Sequence, residues 1–367
     1  MIEVLSILYP YMVILYLADC LIPVGKQQVA FISGFSGAFR KVGTGIHFAG
    51  FWPGIRVFIT GKRPFCLTGS GIYLPLERVV EPFRWSHPEN YELFPYAGID
   101  TLSADNGTIN LNNSVTIKTC SDFEARKLSK RLENLKNMEY SERRTVIEAY
   151  TRNDTALSGV KAGYSRWYEK AGFLDRMSAL MFACFFFLLP AGLYLIPVPI
   201  HLVYGLVAIM LTVYVVIFTA ACRQWKQLYS GNRTLIFKLI VTLLLSPVST
   251  MHISGYITRN LLSTFDSLAI SALLLPQKTF NDLIRKELYF IGCARVNKDE
   301  FGWPEFWKSR CVSMGSLLKS MHLNVDDLFA RPQKTETDAA GYCPVCRTEY
   351  RRGFSTCSDC KVLLEAY

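Results

Sequence analysis

Apolar positions in this chain follow three rhythms: unbroken runs, alternating pairs and a helical repeat. One run, from about Val4 to Ile22, is long enough to cross a bilayer at roughly 1.5 Å per residue. Two others, Ser178 to Pro197 and Ile200 to Ala221, are joined only by Pro197-Val198-Pro199 and predict a transmembrane helical hairpin. Pro190 should kink the first of them. Residues 23 to about 120 have strand character, in short β-rich runs and in alternating ones. Val29-Ala30-Phe31-Ile32, Val57-Phe58-Ile59-Thr60, Thr108 to Asn112 and Ser114 to Lys118 read as strands. Asp105-Asn106-Gly107 reads as a turn, and the glycines at 34, 37, 43, 45, 50 and 54 as further turns. From 121 to 150 the period becomes helical, with Ser121 or Asp122 as cap, Glu124 in the first turn and Leu128, Leu132 and Leu135 on one face. That face either packs on the β-rich domain or forms a short coiled coil.

Beyond Arg233 two apolar stretches, Leu239 to Leu245 and Leu268 to Leu275, are separated by Ser246-Pro247, Arg259 and Asp266. They form a second tight hairpin or, the reading preferred here, helices that do not span. Residues 277 to 330 read as soluble helices around Phe301-Gly302-Trp303-Pro304-Glu305-Phe306-Trp307, and 331–340 as a polar linker. The expected fold is therefore an α+β multi-domain membrane protein. Its parts are an anchor at 1–22, a β-rich cytoplasmic domain at 23–150 ending in an amphipathic helix, and a membrane hairpin with flanks at 151–232. A helical, membrane-associated region at 233–330, the linker, and a small cysteine module at 341–367 follow.

Charge sets the expected topology. The 367 residues carry 40 Lys and Arg against 30 Asp and Glu, a formal net charge of +10. Only 19% of residues are charged and 50% are hydrophobic, which favours a membrane protein. Lys26, Arg40 and Lys41 follow the first run, while Arg166, Lys170 and Arg176, then Arg223 and Lys226, flank the hairpin. Basic residues are retained on the cytoplasmic side, so the soluble parts are expected mainly in the cytoplasm of a bacterial-type inner (plasma) membrane protein that crosses several times. Trp167, Tyr168 and Trp225 stand where interfacial aromatics belong. Leu17-Ala18-Asp19-Cys20 imitates a lipoprotein box, but Asp19 replaces the small residue required, so the first run is read as an uncleaved anchor. The basic residues are dispersed, and nucleic acid is not an expected partner.

Four of the 11 cysteines carry chemistry: Cys343-Pro-Val-Cys346 and Cys357-Ser-Asp-Cys360, separated by ten residues. Paired C-x-x-C knuckles close a tetrahedral thiolate site around one metal ion. Arg347 and Lys361, directly after each knuckle, offset the charge of four thiolates. Thiolates persist in a reducing compartment, in agreement with the cytoplasmic placement; two disulfides would need an oxidising one. Cys184 and Cys222 lie in apolar runs, and Cys20, Cys66, Cys120, Cys293 and Cys311 show no ligand spacing. The last 25 or so residues resemble the zinc ribbon family, which implies a structural Zn²⁺ held by Cys343, Cys346, Cys357 and Cys360. Ribbons often have glycine where Arg347 and Lys361 stand.

A second resemblance covers residues 22–55. Ile22-Pro23-Val24-Gly25-Lys26 through Phe31, then Gly34, Gly43-Thr44-Gly45-Ile46-His47-Phe48 and Pro53, resembles the opening of the stomatin/prohibitin/flotillin (SPFH) domain, with Thr44 in place of a proline. It implies an oligomerising scaffold that organises membranes and binds other membrane proteins.

No catalytic motif emerges. His47, His87, His201, His252 and His322 are scattered, and His322 with Asp326 and Asp327 reads as a solvated helix end. Gly54 to Lys62 has the wrong spacing for a phosphate loop, and Arg63 replaces the hydroxyl residue. Asp100 and Asp105 read as loop carboxylates. The sequon Asn106-Gly107-Thr108 is irrelevant in a cytoplasmic domain. Residues 341–367 hold four basic and three acidic side chains, so the ribbon offers no nucleic-acid face. The expected function is a non-enzymatic membrane scaffold or assembly protein whose partners are the lipid bilayer, other membrane proteins and further copies of itself. The alternative is a membrane enzyme or transporter component using 252–330, where Arg259, Asp266 and His322 lie.

Overall fold

The structure is a computed structural model that describes residues 2–25, 28–33, 37–53, 55–61, 65–75, 91–105, 107–119, 122–195, 199–228, 233–253, 265–296 and 304–367. Lys26, Gly34, Gly54, Lys62, Arg63, His87, Asn106, Cys120, Ser121, Pro197, Val198, Arg259 and Phe301 to Trp303, all named above, lie outside the described residues.

The fold is mixed, with many helices and small antiparallel sheets. Helix α1 (Ile2–Asp19) leads directly into strand β1 (Leu21–Val24). Strand β2 (Gln28–Ser33) is central in a sheet with β3 (Phe39–Val42) and β5 (Val57–Gly61), while β4 (Gly45–Phe48) turns back to pair with β1. Alternation gives β2 two roles. Val29 and Phe31 face the helices, and Ala30 packs on the other side with Val24 and Ile59.

A second core is independent of the first. Strands β6 (Cys66–Leu67), β7 (Gly71–Pro75) and β8 (Tyr91–Pro95) form one sheet; β9 (Leu102–Asp105), β10 (Thr108–Leu111) and β11 (Val115–Lys118) form another. The expected turn joins β9 to β10, with Asp105 opposite Thr108 and Gly107 at φ 77°. The helical segment expected at 121–150 is two helices, α2 (Asp122–Lys136) and α3 (Tyr140–Thr155). Leu128, Leu132 and Leu135 of α2 are buried with Ile109, Leu111 and Ile117. Each such leucine contributes about 1.5–3 kcal/mol through burial. The sheet occupies the apolar stripe that a coiled coil would have used. Buried Asp154, near the end of α3, accepts from Lys127 at 2.7 Å and from both Arg131 nitrogens at 2.6 and 2.9 Å, bracing α3 against α2.

Helix α4 (Leu157–Ala183) continues through two π-helical turns, Cys184–Leu188 and Ala191–Leu195, on either side of Pro190. Proline removes a donor from the ladder, and the wider turns on either side absorb the mismatch. Helix α5 (Ile200–Leu228) follows. Within α4 with its π turns and α5, Ala171–Leu195 and Ile200–Trp225 are long and apolar enough to cross a membrane. Helix α6 (Arg233–Leu245) has 13 residues, a rise of ~20 Å, too short to span by itself. The chain then turns at Ser246-Pro247 into a buried 3₁₀ segment, Pro247–His252, inserted among α1, α4, α5 and α6. Trp167 and Trp225, expected at an interface, are buried in this helical core, whereas Tyr168 is half-exposed beneath the Arg56 guanidinium.

Helix α7 (Ser267–Leu274) is capped by Asp266, which accepts from the Leu268 N–H. Helices α8 (Gln277–Val296), α9 (Pro304–Ser320) and α10 (Val325–Phe329) complete the helical region. The terminal module is a three-stranded sheet with β12 (Ala339–Tyr342) between β13 (Glu349–Arg351) and β14 (Glu365–Ala366).

Candidate metal centre

The two knuckles are built alike. In the first, the Arg347 N–H donates to the Cys343 carbonyl at 2.9 Å and the Cys346 N–H points at Cys343 Sγ at 3.4 Å. In the second, the Lys361 N–H donates to the Cys357 carbonyl at 3.0 Å and the Cys360 N–H points at Cys357 Sγ at 3.3 Å. Closing each turn places Arg347 at φ 62° and Lys361 at φ 57°, the left-handed region. That is the physical reason glycine is usual there. This chain keeps the turn geometry without the glycine.

Sheet closure positions the knuckles relative to each other. Gly341 in the central strand sits so close to β14 that a Cβ would meet the Glu365 carbonyl oxygen at 2.8 Å. Tyr342 and Tyr367 pack at 5.2 Å between ring centroids. Glu349 accepts from Tyr367 at 2.5 Å and from the N–H groups of Thr335 and Glu336 at 2.8 Å, which holds its carboxyl down to about 2. This ties residues 335–336 to the module.

The four sulfur atoms lie within 4.8 Å of one another. Tetrahedral thiolates at the usual Zn–S distance of ~2.3 Å stand ~3.8 Å apart. Cys346 Sγ and Cys357 Sγ are 3.6 Å apart, far beyond a disulfide bond, and all four cysteines are free. Burial pushes the Cys343 thiol up to about 11 and also raises Cys360. Burial acts the same way on Cys357, but the Tyr350 hydroxyl at 3.2 Å and the Cys360 and Asp359 N–H groups outweigh it and bring that thiol down to about 6. Metal binding requires all four sulfurs as thiolates, so occupancy of such a site is coupled to proton release. Four soft donors in this arrangement suit Zn²⁺.

The module docks on the helices through a residue that shows no signal in the sequence. Arg285 of α8 is 3% exposed; its Nε donates to the Leu328 carbonyl at 2.7 Å and its Nη1 to the carbonyl of Val345, inside the first knuckle, at 3.1 Å. Arg347 Nη2 donates to the carbonyls of Leu328 at 2.9 Å and Ala330 at 3.2 Å.

The other sequence-derived candidates do not converge. His47 hydrogen-bonds the Gly43 carbonyl at 2.8 Å within its turn, and His201 is exposed at the start of α5. His322 occupies a left-handed turn between α9 and α10, where Asn324, not Asp326 or Asp327, supplies the cap. Asp100 and Asp105 flank opposite ends of β9, both exposed. Cys66, Cys184, Cys222 and Cys311 join no group of metal-ligating side chains among the described residues. One constellation was invisible in sequence. Cys20 Sγ lies 3.7 Å from His252 Nε2, the His252 ring stacks on Tyr16, and Asp19 accepts from the Ser249 hydroxyl.

No family model, curated protein or solved structure matches this chain. The resemblance of residues 22–55 to the SPFH domain thus finds no counterpart in those comparisons, and the terminal module stands on its geometry, as four cysteines close enough to bind one metal ion.

Proposed function

We propose that this chain is a membrane-embedded scaffold or assembly subunit, acting through protein–protein contacts, with a structural zinc ribbon at its C-terminal end. The observation that carries the reading is the apolar surface of its helices. Ile7, Tyr11 and Ile14 on α1, Phe187 and Leu188 in the first π turn, Leu211 and Val215 on α5, and Phe237 and Leu245 on α6 are all more than half exposed. In the most apolar 18-residue windows of the two long helices only 33% and 22% is buried. Water does not support so large an apolar surface, but lipid does. In the ribbon four thiolates fill a tetrahedral ion's coordination, leaving no position for substrate, so the metal serves structure.

The test is purification from native membranes in mild detergent, followed by measurement of mass and composition. A cluster of this chain, or a stoichiometric complex with another membrane protein, is the expected result. Recovery of a monomer without any partner overturns the scaffold reading.

The Asp19–Cys20–Ser249–His252 contacts, in which Cys20 and Ser249 are buried and Asp19 and His252 partly so, favour a second reading, a membrane enzyme or transporter component, because ionisable groups among apolar helices are costly and are usually kept for function. His252→Ala and Cys20→Ala variants that keep both fold and cellular phenotype would dismiss it.

A further inference from the structure

Strands β1 and β4 form a two-stranded ribbon whose sides differ. The register sets Leu21 opposite Phe48 and Pro23 opposite Ile46. Because side chains alternate along a strand, these four residues share one side of the ribbon. All four are exposed, Ile46 by 75% and Phe48 by 50%. On the other side Val24 is buried and Ile22 packs against the same small core. A soluble ribbon would carry polar residues outward; this one has apolar residues on its outward side as well as its inner side.

Its position in the fold supplies the occupant. The ribbon begins one residue after α1, and the Ala49 N–H, just past β4, donates to the Cys20 carbonyl at 2.8 Å. The exposed apolar face therefore continues that of α1. The next residues meet a membrane-length helix. Phe51 stands 5.3 Å from Phe182 and 4.8 Å from Phe186 between ring centroids, and half-exposed Trp52 is 5.5 Å from Phe182. Phe182 lies seven residues along α4, about 10 Å, from Asp175, where Arg56 forms an ion pair at 3.2 Å. Asp175 and Phe182 both belong to the Ala171–Leu195 span, so the root of the ribbon packs on the first half of that span, next to its charged end. Aromatic and aliphatic side chains partition to that depth at a bilayer surface. Exposed Arg40 on β3 lies beside it, its Nη2 reaching the Phe48 carbonyl at 3.3 Å. Its charge complements anionic headgroups.

We propose that the Leu21–Pro23–Ile46–Phe48 face is a membrane-insertion surface that seats in the headgroup–acyl boundary of an anionic bilayer, beside the spanning helices. This rests on the membrane reading above. It adds that the β-ribbon is a lipid-contacting element, so the sheet domain is held at a fixed depth and not on a free tether.

The test is photocrosslinking of the full chain in nanodiscs of phosphatidylethanolamine and phosphatidylglycerol, with p-benzoylphenylalanine replacing Ile46, Phe48, Ile209 of α5 or Lys118 of β11 one at a time. Intact mass reports lipid adducts. Adducts at positions 46, 48 and 209, with none at 118, are the expected result. Adducts at 209 but not at 46 or 48 overturn the insertion surface and leave the membrane reading intact. Crosslinks from 46 or 48 to a second copy of the chain overturn it in favour of a protein interface. Absence of adducts at 209 as well overturns the membrane reading itself. Retained bound zinc and a monodisperse profile check that each variant is folded.

Discussion

The two knuckles of the metal module share one backbone geometry and have different surroundings. Each puts a large basic residue in a left-handed conformation after its second cysteine, at φ 62° for Arg347 and 57° for Lys361. Arg347 gains two carbonyl partners on the helical body, Leu328 and Ala330. Lys361 is exposed, and among the described residues no hydrogen bond from its side chain to the helices accompanies its turn. The contrast separates what the metal requires from what docking requires. The turn belongs to the metal site and is the same twice; the side chain beyond it belongs to the interface and appears once.

The largest expected effect removes both at once. Cys343→Ser and Cys357→Ser should each abolish stoichiometric zinc and unfold the module, since the ~10–16 kcal/mol of structural zinc binding is also its folding free energy. Metal analysis of purified protein checks this, and a variant that keeps one ion per chain would break the four-ligand assignment. Arg285→Ala should divide the two requirements. It removes a buried donor from the Leu328 and Val345 carbonyls, at about 2–4 kcal/mol, while leaving all four sulfurs in place. The module should keep its zinc yet be released by protease within residues 331–338. Uncleaved protein with unchanged zinc would show that Arg285 does not hold the interface. The smallest effect is the most discriminating. Lys361→Gly relieves a left-handed residue and should stabilise the module by ~0.5–1 kcal/mol. Arg347→Gly gains the same relief but loses two hydrogen bonds, for a net loss of about 1 kcal/mol. Chelator competition on the two variants should shift in opposite directions. Equal shifts would mean that the knuckles are equivalent after all.

Legibility in the sequence followed the range of the interaction. The C-x-x-C pairs located all four sulfurs, because a knuckle closes within five residues. The strands at 108–111 and 115–118 were readable from alternation and those at 28–33 and 57–61 from short β-rich runs, both of which are properties of neighbours. Leu128, Leu132 and Leu135 disclosed a helix face but not its covering, which is a sheet from earlier in the chain. The break between α2 and α3 was missed because charged residues continue across it with helical propensity. Trp167 and Trp225 read as interfacial aromatics by position alone, whereas packing draws both inside. Strands β1 and β4 were not singled out, since a ribbon that is apolar on its outward side lacks the usual alternation with polar residues.

Local spacing, hydropathy and proline placement are written into the order of residues, and they sufficed for the two membrane-length helices, the turn chemistry and the thiol donors. Tertiary structure alone brought Arg285 to the Val345 carbonyl across 60 positions and His252 to Cys20 across 232. Such contacts depend on how separate elements stack to bury apolar surface and satisfy backbone groups, and no periodicity within either partner encodes them.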